Sequence, residues 1–284
     1  MLIRRLQVQG LRRLVDIDLQ PGPGFNLVTG DNGSGKTSLL EAMHLMAHGR
    51  SFRGRVRDGL VRSGAPALQV FIEWDQPGHD SRRAGLRHSG GAWEARLDGG
   101  PVGHLGELCE ALAVITFEPG SHALIDGSSE VRRRYIDWGL FHVERSDAGG
   151  DFLSLWRRHA RALKQRNALL RQARADSQLD AWEHELAQAG EAITLLRDAY
   201  VVRLQPHVDA LLAGILPAAG AATLSLQPGW KRRELALADA LLISRERDLA
   251  QGHTTLGPHR ADLKLDLRDL PGRDCLSRGQ AKLA

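Results

Sequence analysis

Residues 30–38 read GDNGSGKTS and match the pattern GxxxxGK[ST]. A loop can wrap the oxygens of a triphosphate only if its backbone comes close with the N–H groups turned inward, and glycines permit that approach. The helix that follows directs the positive end of its dipole at the phosphates. The pattern predicts an ATP-binding loop formed by Gly30, Asp31, Asn32, Gly33, Ser34, Gly35, Lys36, Thr37 and Ser38.

The sequence on both sides of this loop supports the prediction. Residues 24–29, GFNLVT, predict a short strand, and residues 39–46, LLEAMHLM, predict an apolar helix. In a strand, loop and helix of this kind, Lys36 reaches the β and γ phosphates and the Thr37 hydroxyl ligates Mg²⁺. The alternative interpretation is an ordinary glycine turn in a glycine-rich chain.

Length and composition exclude several classes of protein. A chain of 284 residues suits two lobes rather than one small core. Cys109 and Cys275 form no CxxC pair, so neither a disulfide framework nor a zinc site is predicted. The N-terminus has no apolar segment of signal-peptide length, and no later run is long enough to cross a membrane. We therefore expect a cytoplasmic protein, whose net charge of +4 permits nucleic-acid binding.

The first 120 residues contain several short apolar or alternating segments that predict strands. Residues 2–8 and 14–19 precede the loop, residues 68–74 and 111–117 follow it, and residues 77–104 predict hairpins. The intervening segment 49–64 carries five arginines: Arg50, Arg53, Arg55, Arg57 and Arg62. This segment either contacts triphosphate oxygens or DNA, or is a solvated basic loop.

Long helical patterns begin near residue 121. Residues 152–175 contain seven basic residues and no acidic one. Four of them share one helix face: Arg157, Arg161, Lys164 and Arg171. The predicted buried side consists of Phe152, Leu155, Trp156, Leu163 and Leu170. The basic face either follows a DNA backbone or pairs with acidic residues of the next helix. That helix begins near residue 179, and Pro206 is predicted to kink or end it.

A second anion-binding pattern lies near the end of the chain. Residues 276–282 read LSRGQAK, and Ser277, Gly279 and Gln280 at a helix start have the form of an ABC signature motif. Such a motif offers a hydroxyl and backbone N–H groups to an anion. His259 is predicted to be structural, because no partner ligands stand at metal-binding spacing.

Taken together, these motifs resemble the RecF family of bacterial DNA repair proteins, relatives of the Rad50 and SMC ATPases. The resemblance is carried by residues 30–53, 124–142, 163–171, 257–263 and 276–282. It implies an α/β fold, an ABC-type P-loop NTPase head whose first lobe contains a mixed sheet. Residues 1–120 and 251–284 would form this ATP-binding lobe, and residues 121–250 an inserted, mainly helical second lobe.

The resemblance also implies a function. Family membership would mean an ATP-dependent homodimer that clamps single-stranded or gapped DNA and acts with RecO and RecR to load RecA, in recombinational repair, replication and the SOS response. Lys36 and Thr37 would hold ATP and Mg²⁺ in one subunit. Ser277, Gly279 and Gln280 of the other subunit would reach the γ phosphate. Arg12 and Arg13 lie where the family has a basic residue near the nucleotide.

The sequence departs from the family pattern at its end. The chain stops at Ala284, before the Walker B acids and the D-loop that the family places after the signature helix. We therefore assign no catalytic acid and expect little or no ATP hydrolysis. Two alternatives follow: a RecF-like interaction module without a nucleotide cycle, and an autonomous P-loop kinase with Glu118 as acid and His259 as base. The LSRGQ segment argues against the kinase.

Overall fold

The computed structural model describes residues 1–53, 59–76, 78, 81–117, 120–143, 152–173, 176–215 and 221–267. Their contacts divide the chain into two units, Met1–Phe117 and Glu118–Ala284. None of the helices within these ranges combines the length and apolar character needed to cross a membrane.

The first unit contains an antiparallel sheet of six strands in the order β2-β1-β3-β4-β5-β6. The strands are β1 (Leu2–Gln9), β2 (Asp16–Leu19), β3 (Leu68–Asp75), β4 (Arg82–His88), β5 (Trp93–Leu97) and β6 (Gly100–Pro101). Two helices accompany it, α1 (Lys36–His48) and α2 (Leu105–Ala111). The hairpins expected over residues 77–104 are thus the β4, β5 and β6 strands.

The core of this unit lies between one face of the sheet and α1. Alternate residues of β3, including Val70, Ile72 and Trp74, are buried, as the two-residue period of a strand requires. They belong to the same apolar cluster as Leu45 and Met46 of α1. This packing fixes the helix whose first turn carries Lys36 and Thr37.

Two segments predicted to be strands form no strand in the structure. Residues 24–29 and 112–117 have no ladder partner among the described residues, and Ala111 ends α2 instead. Several of their large side chains are exposed, including those of Phe25, Leu27, Ile115 and Phe117, whereas Leu112 is buried in the core. An apolar pattern alone does not make a strand, because the ladder also needs a second backbone alongside.

The second unit is mainly helical. Its helices are α3 (Ala123–Asp126), α4 (Ser129–Val143), α5 (Phe152–Arg171), α6 (Ser177–Ile215) and α7 (Leu237–Gln251). Strands β7 (Ala222–Gln227) and β8 (Asp262–Leu267) pair antiparallel, and a short 3-10 helix (Pro258–Arg260) precedes β8. Buried residues of α5, α6 and α7, such as Ala162, Leu186 and Leu241, form one of its apolar clusters.

The sequence predicts that Pro206 kinks or ends the helix, and the structure shows that it does not end it, because α6 continues through Pro206. A proline removes one backbone hydrogen bond from a helix, and tertiary contacts can offset that loss. Here the preceding residue, Gln205, bonds the strand alongside: its side chain donates to the Ala222 carbonyl and accepts from the Leu224 N–H. The helix therefore continues to Ile215.

The end of the described chain packs within the second unit. The sequence places residues 251–284 with the ATP-binding lobe, but β8 pairs with β7, and Asp262 accepts hydrogen bonds from Arg132 of α4. Residues 268–284 lie outside the described part of the chain, so the place of that segment stays a prediction.

Candidate nucleotide site

The phosphate-loop sequence forms a tight loop seated against the turn between β1 and β2. Gly33 has φ 83° and Gly35 has φ 104°, both in the left-handed region that favours glycine. A Cβ on Gly35 would stand 2.4 Å from Cδ2 of Leu14, and one on Gly33 would stand 2.8 Å from Nη1 of Arg13. Both glycines therefore suit the backbone conformation, and Gly35 is also required by its close packing against the buried Leu14.

The Lys36 side chain closes this loop by hydrogen bonds to backbone carbonyls at the start of the loop. Its Nζ donates to the carbonyl oxygens of Gly30 and Asp31, at 2.6 and 2.7 Å. Thr37 is exposed beside it in the first turn of α1, whereas the Ser38 side chain is buried. An ammonium that already spans the loop can transfer its hydrogen bonds to phosphate oxygens with little movement.

Three arginines surround the same cavity, whose volume is about 300 Å³. The lining residues are Arg12, Arg13, Asn32, Gly33, Gly35, Lys36, Thr37, Ser38 and Arg53. Arg12 and Arg13 come from the β1–β2 turn, and Arg53 comes from the basic segment after α1. The structure thus brings one part of that basic segment to the phosphate loop; Arg55 and Arg57 lie outside the described residues.

Glu41 is a residue of this site that sequence reasoning missed. It is fully buried on α1, where Arg12 donates two hydrogen bonds to its carboxylate, from Nε at 3.2 Å and Nη2 at 2.9 Å. Ser51 donates a further hydrogen bond. A lone acid inside the apolar run LLEAMHLM was the available signal, because a buried carboxylate requires a partner.

Two histidines tie the far half of α1 to residues 112–117. Nδ1 of His44 lies 2.9 Å from Oγ1 of Thr116, and Nε2 of His48 lies 3.0 Å from the carbonyl oxygen of Val114. Burial lowers the pKa of His44 to about 4, with smaller contributions from His48 and Arg50. Burial also lowers the pKa of His48. Both rings are therefore neutral near pH 7, which suits these contacts.

The basic face of α5 lies in the second unit. Arg157, Arg161, Lys164 and Arg171 are all exposed. Pairing with α6, the alternative to DNA contact, is made by other residues of α5: Arg158 bonds Glu185, and Arg166 is buried with Glu183. Within the described part of the chain, Arg161, Lys164 and Arg171 have no hydrogen-bond or ion-pair partner.

The structure also shows the surroundings of Trp156 and His259, two residues of the second unit about which the sequence made predictions. The sequence places Trp156 on the buried side of α5, but the residue is 43 % exposed at the border of the basic face, so that assignment is wrong. His259 is partly buried, and its Nε2 lies 3.1 Å from the Thr254 carbonyl oxygen. Burial lowers the pKa of His259 to about 4.

The remaining predicted site residues lie outside the described part of the chain. They are Ser277, Gly279 and Gln280 of the signature motif, and Glu118.

Comparison with known proteins places the chain in a family. A family model described as an AAA domain matches residues 5–73. The DNA replication and repair protein RecF of Stenotrophomonas maltophilia (strain R551-3) is 61% identical, with 100% of this chain aligned to 78% of that protein. The chain belongs to the RecF family. The RecF of Xanthomonas euvesicatoria pv. vesicatoria (strain 85-10) is 58% identical and aligns with 98% of the chain and 76% of its own length.

Solved structures support the same fold. The recombination mediator protein RecF-ATP in the RecFOR pathway superposes on the chain with a TM-score of 0.86 at 23% identity, over 99% of this chain and 77% of that one. The predicted fold class, an ABC-type P-loop head with α/β and helical parts, is therefore confirmed. In this RecF-family chain, the cavity lined by Lys36 lies at the phosphate loop that the sequence predicted.

Proposed function

We propose that this RecF-family chain binds ATP with Mg²⁺ and acts as a DNA-binding mediator in replication and recombinational repair. The observation that carries the proposal is the cavity in which Lys36 and the exposed Thr37 stand together with Arg12, Arg13 and Arg53. Four cations around one glycine-rich loop suit a triphosphate better than any neutral ligand. The similarity to proteins named for DNA replication and repair supports the biological role.

Within this proposal the chain's own residues perform separate tasks. Lys36 exchanges its hydrogen bonds with the Gly30 and Asp31 carbonyls for phosphate oxygens. The Thr37 hydroxyl is the Mg²⁺ ligand that the described residues offer, and the ion would neutralise phosphate charge. Arg12 and Arg53 supply planar guanidinium donors, which suit phosphate geometry.

The proposal extends to a homodimer. Ser277, Gly279 and Gln280 of one copy would contact the γ phosphate held by Lys36 of the other, so that ATP joins two chains. The dimer would close on single-stranded or gapped DNA and act with RecO and RecR to load RecA, including during the SOS response. The mass of the chain measured by light scattering should double when ATP and Mg²⁺ are added. The mass of Lys36→Ala should remain that of a monomer. A monomer under both conditions would favour an interaction module without a nucleotide cycle.

The exposed face of α5 is the proposed DNA contact. Arg161, Lys164 and Arg171 have no partner among the described residues, so their charges are available to phosphates, with Arg157 on the same face. Trp156 at the border of this face would stack on an unpaired base, as aromatic side chains do in single-strand binding proteins.

A salt titration with single-stranded DNA tests this contact. Arg161→Glu/Lys164→Glu should weaken binding and reduce the slope of log K against log salt by about 0.7 for each phosphate that the variant no longer neutralises. Lys231→Glu is the control, because Lys231 is exposed in the same unit and pairs with Glu234. Equal slopes for the wild type and the double variant would remove α5 from the DNA site.

A further inference from the structure

Glu41 stands behind the nucleotide cavity without lining it. Its side chain is 0% exposed, and it lies five residues after Lys36 on the same helix. An ionised carboxylate in such a position is stable only when it is paired and hydrogen-bonded. Its partners in the described chain are Arg12, Ser51 and Arg53.

The first partner, Arg12, is held at both ends. Its backbone has φ 54°, a left-handed conformation that is uncommon for a residue with a side chain. The Arg12 N–H donates to the Leu60 carbonyl at 2.9 Å, and the guanidinium donates twice to Glu41. A strained backbone persists only where its surroundings over-determine it. The fold therefore holds Arg12 at the edge of the cavity against a local conformational cost.

The second partner, Arg53, is linked to Glu41 both directly and through Ser51. Its Nη1 lies 3.7 Å from Oε2 of Glu41. Ser51 donates its hydroxyl proton to Glu41 and accepts the Arg53 N–H at 3.0 Å, so the turn that carries Arg53 is tied to the same carboxylate. One buried acid thus contacts two guanidinium groups that line the cavity from separate chain segments.

We infer that Glu41 is a positioning residue of the nucleotide site. Its carboxylate fixes the guanidinium groups of Arg12 and Arg53 at the edge of the cavity, where phosphate oxygens would bind. An arginine has five N–H donors in a planar group, so one guanidinium can bond more than one acceptor. This inference rests on the proposed nucleotide site. A free arginine would have to lose side-chain freedom on binding, and Glu41 removes that cost beforehand.

The test is calorimetric titration of ATP and Mg²⁺ into the full chain. Glu41→Gln keeps the size of the side chain and removes its charge, and we expect affinity to fall about tenfold. In an Arg12→Ala/Arg53→Ala background, Glu41→Gln should cause no further loss, because the groups it positions are gone. Leu40→Gln is the control, since Leu40 is half exposed on the same helix.

The outcomes separate this inference from the proposed function. Wild-type binding that Glu41→Gln leaves unchanged or strengthens would overturn the inference alone. Absence of wild-type binding would overturn both. If Glu41→Gln fails to fold, Ser51→Ala provides the test, because it keeps the Glu41–Arg12 pair and releases the Arg53 turn. It should weaken binding about threefold, and an unchanged affinity would again reject the positioning role.

Discussion

Single residues decide whether the phosphate loop can form. The spacing of Gly30, Gly35, Lys36 and Thr37 is a local pattern, so it could be predicted without knowledge of the rest of the chain. Glu41 could not be assigned in this way, because its partners Arg12 and Ser51 come from separate segments that meet only in the folded unit.

At Gly35 we predict that alanine destabilises the first unit. The residue adopts φ 104°, and the added Cβ would overlap Leu14. Left-handed backbone costs an alanine about 1 kcal/mol, and the overlap adds about 1–3 kcal/mol. Chemical denaturation measures the total loss in the free energy of unfolding. Gly24→Ala is the matched control, because Gly24 has φ 85° with no atom near the new Cβ. Equal losses for the two variants would show that the contact with Leu14 is unimportant.

At the scale of elements, α5, α6 and α7 share a buried ionic network. Arg166 of α5 is 0% exposed and donates to Glu183 of α6 and Asp248 of α7. Its Nη1 also donates to the Thr254 hydroxyl. Three helices are therefore joined through one guanidinium group, which gives their packing a specific register.

Replacing Arg166 tests that network. Arg166→Leu removes the Arg166 ion pair from buried Asp248 and leaves Glu183 with Arg245. We expect the free energy of unfolding to fall by about 3–5 kcal/mol. Arg158, on the same helix, forms an exposed pair with Glu185, and Arg158→Leu should cost much less stability than Arg166→Leu. Similar losses in both variants, measured by urea denaturation, would contradict the distinction between buried and exposed pairs.

The elements themselves were predictable to different degrees. Amphipathic periodicity located α5 and the strands of the antiparallel sheet. The same reasoning failed at residues 24–29 and 112–117, because a strand depends on a neighbour that is often far away in sequence. At Pro206 the predicted helix end is absent, and Gln205 anchors the continuing helix to β7. Trp156 was assigned wrongly because helical periodicity identifies the buried side of α5 but does not show how far around the helix the burial extends.

For the molecule as a whole, the buried His159 and the partly buried His259 should make the fold sensitive to acid. Burial lowers the pKa of His159 to about 3, with contributions from His259 and Arg197, and lowers that of His259 to about 4. The ordinary value is 6.5. Between these limits the unfolded chain binds more protons than the folded one, so stability rises with pH across this window and falls as the pH drops.

The variant His159→Leu tests this dependence. It removes a buried ring whose Nε2 has no partner in the described structure, so stability near pH 7 should change little. The decline in melting temperature between about pH 6.5 and pH 4 should become shallower. His207→Leu, at an exposed position of α6, is the control. An unaltered decline in His159→Leu would contradict the assignment of this acid sensitivity to His159.

The central claim is that the loop at Lys36 binds a nucleoside triphosphate. Calorimetric titration of ATP with Mg²⁺ into the wild type and Lys36→Ala tests it most directly. We expect saturable binding by the wild type and a loss of about tenfold or more in affinity for Lys36→Ala, which lacks the ammonium that reaches the phosphates. Equal affinity of the two proteins would contradict the claim.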